Sequence, residues 1–216
     1  YVALYEINMD KNDAEHISIP ITDKLTKRWG ITADQLYQDT IKVQAAWNQP
    51  LLADLLEMGA YLNGGTRPDN LLSADKIDDT GLYVLTNYKL YNGAAMIAHD
   101  EMAQKIGNLL QMDYYILPST VHELLVYPDN GVISITQLQE MVKSVNATDV
   151  LPKDRLSDKV LFYNQQERRL ELATEREEYF EDKTEDTQEK KELAEGKDKS
   201  ESEKKEDKSL KFSIRL

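Results

Sequence analysis

The feature that most constrains the fold of this chain is an abrupt change of composition near residue 171. Between Glu171 and Ser209, 25 of 39 residues are charged, 16 acidic and 9 basic. A segment with so few apolar side chains cannot offset the entropy lost on ordering, so we predict that residues 173–209 are disordered. The fold must then come from residues 1–172, which we predict to form one domain, long enough to bury a core without cross-links.

Composition also excludes several kinds of chemistry and of partner. The chain has no cysteine, which rules out disulfides, iron–sulfur clusters and thiol nucleophiles. Its net charge is −13, so we expect neither a broad nucleic-acid surface nor binding to anionic membranes. No apolar run reaches the roughly 18 residues of a membrane span, and no signal peptide is visible. We therefore expect a cytoplasmic protein that does not associate with membranes.

In the first half of the domain, short strands and helices alternate without a strict βαβ repeat. Capping signals mark the helix starts, since Thr22 precedes one apolar stripe and Thr32 lies three residues before Gln35. Pro50 suits the first turn of a helix that directs Leu51, Leu52, Leu55 and Leu56 inward. We predict strands at 2–8, 17–21, 82–86 and 93–98, and helices at 22–30, 32–47 and 50–63. Because the first strand starts at once after Tyr1, we expect that upstream residues are missing.

The second half has the same mixed character. A helix is predicted from Asp100 to residue 110, and another from Ser134, which has capping-box spacing to Gln137, to Val145. Strands are predicted at 114–117, where Pro118 ends the run, and at 122–127, 159–163 and 169–172. Such mixing favours an α+β fold with an antiparallel-rich mixed sheet and packed helices over a doubly wound sheet.

His122-Glu123 is the only pair that resembles a catalytic signature. The zinc-protease pattern needs a second histidine four residues after the first, and position 126 is Val. The segment also has the pattern of a strand, where His122 and Glu123 would point to opposite faces. We expect no metal site here.

Ser119, Thr120 and His122 place hydroxyl groups beside an imidazole, as a nucleophile and its base would be placed. No Gly-x-Ser-x-Gly turn surrounds Ser119, and no third member of a triad can be identified. The alternative is that Ser-Thr after Pro118 caps a turn by bonding to backbone amides. Ser119, His122 and Glu123 are thus weak catalytic candidates.

The glycine-containing stretches predict no cofactor. Asn63-Gly64-Gly65 and Asn92-Gly93 are typical of turns, and neither has phosphate-loop or dinucleotide-binding spacing. Asp78-Asp79 lacks calcium-loop spacing.

Two stretches of the sequence carry a family resemblance: Asn92-Gly93-Ala94-Ala95 and Ile116-Leu117-Pro118-Ser119-Thr120-Val121-His122-Glu123. Together with Pro128-Asp129 and residues 29–32, 141–148 and 156–160, they resemble an uncharacterised bacterial family of unknown function. That family is found largely in gut Firmicutes, often near mobile-element genes, and carries an Ile-Leu-Pro-Ser-x-x-His-Glu motif. The resemblance covers roughly residues 2–164 and implies no activity. Its members usually have more chain upstream, in agreement with the abrupt start.

Two functions remain open at this point. The first is a non-enzymatic accessory or interaction protein of a bacterium or its mobile element, with an unidentified protein partner. The second is a hydrolase-type enzyme that uses the region of Ser119, His122 and Glu123. At the far end, Leu210, Phe212, Ile214 and Leu216 alternate with polar residues, so 210–216 is predicted to be a strand-like motif. Either this end is a frayed terminus without a role, or it adds as an edge strand to an acidic sheet edge of this domain or of a partner.

Overall fold

The computed structural model describes residues 4–9, 17–99 and 101–174. The chain divides into two units, Tyr1–Glu171 and Leu172–Leu216. Only residues 172–174 of the second unit are described. The predicted disorder of 173–209 and the predicted strand-like motif at 210–216 therefore lie almost entirely outside the described residues.

A six-stranded sheet forms the centre of the first unit. Its strands are β3 Pro50–Asp54, β4 Tyr83–Asn87, β5 Tyr114–Thr120, β6 Glu123–Pro128, β7 Leu161–Asn164 and β8 Arg169–Leu172. Their order in the sheet is β3-β4-β6-β5-β7-β8, and the pairs β3–β4, β4–β6, β6–β5 and β5–β7 are antiparallel. Helices pack on this sheet, which confirms the predicted α+β fold.

Successive residues of a strand point to opposite faces of the sheet. Apolar side chains on each face pack against helices, so both faces are covered. On one face, Leu52, Leu85 and Ile116 pack in a core cluster with α4 (Met102–Leu110) and a 3₁₀ helix, Gly93–Ala98. On the other face, Leu51, Ala53 and Val84 cluster with Met58 of α3 (Leu55–Leu62). Helix α5 (Ile135–Thr148) packs against β5.

The N-terminal elements are a separate two-stranded sheet and two helices. Strand β1 (Glu6–Asn8) pairs antiparallel with β2 (Ser18–Pro20), and α1 (Asp23–Trp29) and α2 (Ala33–Trp47) follow. Thr32 caps α2 as predicted, since its Oγ1 accepts the Gln35 N–H at 3.1 Å. The Tyr37 hydroxyl of α2 donates to the Ala98 carbonyl at 2.7 Å, which connects α2 to the 3₁₀ helix.

The predicted helix over 50–63 is wrong in its first five residues, which form edge strand β3. Leu51 and Leu52 are both fully buried because the two faces of the strand lie against different clusters. Pro50 occupies the first position of an edge strand, where a missing N–H is tolerated. Helix α3 begins only after Asp54, whose carboxylate accepts the N–H groups of two helix residues, and Leu56 is 81% exposed instead of inward.

The predicted strand at 93–98 is also wrong. Residues Gly93–Ala98 form a 3₁₀ helix, which starts after Asn92 in the left-handed conformation (φ 52°). Strand β4 has β3 on one side and β6 on the other, so the partner position that the prediction gave to 93–98 is already filled.

The ends of β5 and α5 are among the boundaries that differ from the prediction. Strand β5 continues through Pro118 to Thr120, because the ladder between β5 and β6 shifts register between Leu117 and Thr120 and needs no Pro118 donor there. Helix α5 ends at Thr148, three residues beyond the predicted end at Val145.

Candidate functional site

The predicted site residues lie at the tight hairpin that joins β5 to β6. Thr120 pairs with Glu123, which leaves Val121 and His122 as the two turn residues. The Thr120 Oγ1 accepts the His122 N–H at 3.0 Å and closes the turn from within. His122 therefore belongs to the turn and not to the strand that the sequence predicted.

The turn is held on both sides by other parts of the chain. On one side, the Ala94 N–H donates to the Val121 carbonyl at 3.2 Å. On the other, the Val121 N–H donates to the Asp154 carbonyl at 2.9 Å, and Thr120 forms a bridge with Arg155. We call the three segments 91–94, 120–123 and 154–155 the hairpin junction.

The imidazole of His122 lies at the centre of the hairpin junction. Its Nδ1 accepts the backbone N–H of Asn92 at 3.1 Å, and its Nε2 lies 3.5 Å from Asp154 Oδ1. The ring packs against Tyr91, with 5.1 Å between ring centroids. A nitrogen that accepts an amide proton carries no proton of its own, so the neutral ring has its proton on Nε2, facing Asp154.

Ser119 and Glu123 form a second polar pair beside the turn. The Ser119 Oγ is 3.5 Å from Glu123 Oε1, at the outer limit of a hydrogen bond. Burial raises the pKa of the Glu123 carboxyl above its ordinary value, and the Ser119 hydroxyl and His122 act against that rise. The structure thus brings the three candidate residues together, but the contact of Ser119 is with the carboxyl group of Glu123.

Sequence reasoning missed the residues that hold the junction: Thr86, Tyr91, Gly93 and Asp154. The buried Thr86 hydroxyl donates to the His122 carbonyl at 2.8 Å. A Cβ on Gly93 would lie 2.2 Å from Thr86 Oγ1 and 2.4 Å from the His122 oxygen, so only glycine fits there. The available signal was the Asn92-Gly93 dipeptide, which was interpreted only as a turn.

Residues 2–165 match the model of a family of unknown function, DUF5688. The chain belongs to this family. The DUF5688 match includes the whole hairpin junction and both distinctive stretches of the sequence, residues 92–95 and 116–123. No curated protein and no solved structure matches the chain.

Two features are absent from the described part of the chain: a cluster of metal ligands and a membrane-spanning helix. Among residues 4–9, 17–99 and 101–174, no group of three or more His, Asp or Glu side chains is placed to hold a metal ion. No helix within the described part of the chain is both long and apolar enough to cross a membrane.

His122 and Asp154 resemble the histidine–carboxylate pair of a catalytic triad, but the His122 ring is oriented differently. In such a site one ring nitrogen contacts the carboxylate while the other faces the nucleophile. Here the nitrogen opposite Asp154 is bonded to the Asn92 backbone. The arrangement is suited to joining three chain segments.

Proposed function

We propose that this protein is a non-catalytic binding protein that acts through a protein partner. The observation that carries the proposal is the engagement of both His122 ring nitrogens by groups of the same chain, Asn92 N–H and Asp154. A general base needs a free ring nitrogen within reach of the nucleophile. The most distinctive stretch of the sequence, residues 116–123, therefore stabilises the β5–β6 hairpin through His122.

The composition supports the same proposal. With a net charge of −13, the chain is a poor match for nucleic acid, so another protein is the better partner class. The sequence resemblance supports an accessory role in a bacterial cytoplasm, in connection with a mobile element. No relative with an assigned activity supports a hydrolase.

The proposal is tested by asking whether Ser119 reacts as a nucleophile. The purified full chain, Ser119→Ala and His122→Gln are treated with a fluorophosphonate probe and a panel of activated esters. Ser73→Ala, in an exposed 3₁₀ turn, is the matched control. We expect no labelling above that of the unfolded chain, and no turnover in any variant.

The partner itself is sought by cross-linking in the native host, followed by mass spectrometry. We expect the wild type and Ser119→Ala to recover the same partner at similar levels. Stoichiometric labelling of Ser119, together with ester turnover that Ser119→Ala abolishes, would show that the protein is a hydrolase and overturn the proposal.

A further inference from the structure

The two-stranded sheet β1–β2 has one backbone edge that the described chain leaves open. Two backbone hydrogen bonds between the strands show which groups face inward. The Ile21 N–H donates to the Tyr5 carbonyl at 2.7 Å, and the Met9 N–H donates to the Ile17 carbonyl at 2.8 Å. The bonded pairs are therefore Tyr5 with Ile21 and Met9 with Ile17. In an antiparallel ladder bonded pairs recur at every second residue, so Ile7 and Ile19 also face inward. The residues that alternate with these pairs direct their N–H and C=O groups away from the partner strand.

The outward residues of β1 are Glu6 and Asn8, and those of β2 are Ser18 and Pro20, since Glu6 pairs with Pro20 and Asn8 with Ser18. Pro20 has no N–H and blunts the β2 edge. The β1 edge has no proline, and within the described residues the sheet contains only β1 and β2. A further strand can therefore be added beside β1.

Strand β3, at the edge of the six-stranded sheet, differs from β1 because a side chain covers its outer edge. The Asn70 side chain donates to the Pro50 carbonyl at 2.9 Å and accepts the Leu52 N–H at 3.2 Å, so it occupies the outer edge of β3. No such cover is present on β1 among the described residues.

One face of the β1–β2 sheet is apolar. Residues of odd number share this face because they alternate with the outward residues. Its side chains remain partly exposed, with Ile7 at 38% and Ile19 at 45% of their surface. The members of this face are Tyr5, Ile7, Met9, Ile17, Ile19 and Ile21.

The stretch of sequence that contains both strands is acidic. In sequence, residues 1–21 contain four acidic side chains, Glu6, Asp10, Asp13 and Glu15, against the single basic Lys11, so their net charge is −3. Glu6 lies on the face opposite to Ile7. An added strand with alternating side chains would place apolar residues beside Ile7 and the others beside Glu6.

From this edge, face and charge we infer that β1 receives an extended segment of the protein partner in which apolar residues alternate with basic ones. Backbone bonds to Glu6 and Asn8 would supply affinity, and the apolar face and Glu6 would supply selectivity. A two-stranded sheet is only marginally stable in water, so a third strand also stabilises β1–β2. The inference rests on the proposed binding function and adds its site and partner class.

The test uses the full chain and a synthetic peptide, Val-Lys-Val-Arg-Val-Lys-Val, with binding followed by fluorescence anisotropy. Asn8→Pro removes an outward N–H of β1 without touching a β1–β2 bond. Ser18→Pro makes the same change on the opposite edge and is the matched control. We expect Asn8→Pro to weaken binding about 10-fold or more, and Ser18→Pro to bind as the wild type does.

Three further measurements complete the test. Amide exchange should slow at Glu6 and Asn8, but not at Ile7, when the peptide binds. Ile19→Lys should weaken binding, and the peptides Val-Val-Lys-Lys-Val-Val-Arg and Val-Glu-Val-Glu-Val-Glu-Val should bind worse than the alternating basic one.

Absence of peptide binding to the wild type would overturn the inference, as would equal binding by Asn8→Pro and wild type. A dimer that Asn8→Pro converts to a monomer would assign the edge to a second copy of the chain instead. A different result, labelling of Ser119 together with ester turnover, would overturn the proposed function. Failure of the binding site and failure of the proposed function can therefore be distinguished.

Discussion

At the scale of single residues, the hairpin junction depends on one position where any side chain collides with the backbone. Gly93 approaches Thr86 and the His122 carbonyl so closely that a Cβ would lie 2.2 and 2.4 Å from their oxygens. Neither oxygen can withdraw easily, because Thr86 is buried in β4 and bonded to His122. The close approach of three segments is therefore specified by the absence of a side chain.

We predict that Gly93→Ala lowers the free energy of unfolding by about 1–3 kcal/mol, as overpacking of a buried site does. The matched control is Gly59→Ala in α3, where a Cβ meets nothing within 4 Å. That change should stabilise the protein by about 0.5–1 kcal/mol, because alanine favours the helix interior. Urea unfolding of both variants gives the comparison. Equal effects at the two positions would contradict the predicted close approach.

Glu123 gives a prediction about pH. Burial raises the pKa of its carboxyl in the folded protein above the ordinary 4.5. Between these two pKa values the native state binds more protons than the unfolded state, so stability falls as pH rises through that interval. Glu123→Gln removes the charge and keeps an oxygen for the Ser119 hydroxyl.

The Glu123→Gln variant should therefore be more stable than the wild type at pH 7, and this advantage should vanish below pH 4, where the wild-type carboxyl is protonated. Thermal unfolding measured across that range provides the check. Glu167→Gln, at an exposed position, is the control and should show no such gain. A wild type that is more stable than Glu123→Gln at neutral pH would mean that the charged carboxylate is favoured.

Residue types and spacing identified part of the site. Ser119, His122 and Glu123 do lie together, and their closeness along the chain was sufficient to predict it. Asp154 and Asn92 could not be found in this way, because their contact with His122 depends on how distant loops meet. The difference between a catalytic histidine and one that joins segments is decided by those distant partners.

At the scale of secondary structure, the sequence predicted most elements but assigned two segments to the wrong class. The apolar run after Pro50 fits a buried strand as well as a helix, since periodicity does not distinguish short apolar runs. Only the sheet decides, by burying Leu51 and Leu52 on opposite faces of β3. Where a capping signal was present, as at Thr32 and Ser134, the helix starts were confirmed.

The edge of β3 supplies a prediction at the same scale. Asn70 bonds through its side chain to Leu52 N–H, Pro50 carbonyl and Leu72 N–H, at 3.2, 2.9 and 3.2 Å. Asn70→Ala should lower the free energy of unfolding by about 1–3 kcal/mol, because partly buried groups of the strand lose their partner. Amide exchange at Leu52 should become faster.

Asn70→Asp is the control for this edge. It retains oxygens for the Leu52 and Leu72 N–H groups and loses only the donation to Pro50, so Leu52 should exchange more slowly than in Asn70→Ala. If Leu52 is equally protected in the wild type and in Asn70→Ala, Asn70 does not cover the strand.

At the scale of the whole molecule, the fold is a sheet covered on both faces, with the hairpin junction where three distant segments meet. The family model spans residues 2–165, which contain all three segments of the hairpin junction. The segments at 91–94, 120–123 and 154–155 contact one another through backbone bonds and through one imidazole. The central claim is that His122 stabilises the fold and does not perform chemistry.

The free energy of unfolding of His122→Ala, measured in urea beside the wild type and Ser119→Ala, tests that claim most directly. We predict that His122→Ala loses about 1–3 kcal/mol, because the Asn92 amide is left without its acceptor. Ser119→Ala should remain within about 0.5 kcal/mol of the wild type. Catalytic groups are typically held at a cost to stability, and their removal leaves stability equal or higher. A His122→Ala variant at least as stable as the wild type would therefore contradict the structural role of His122.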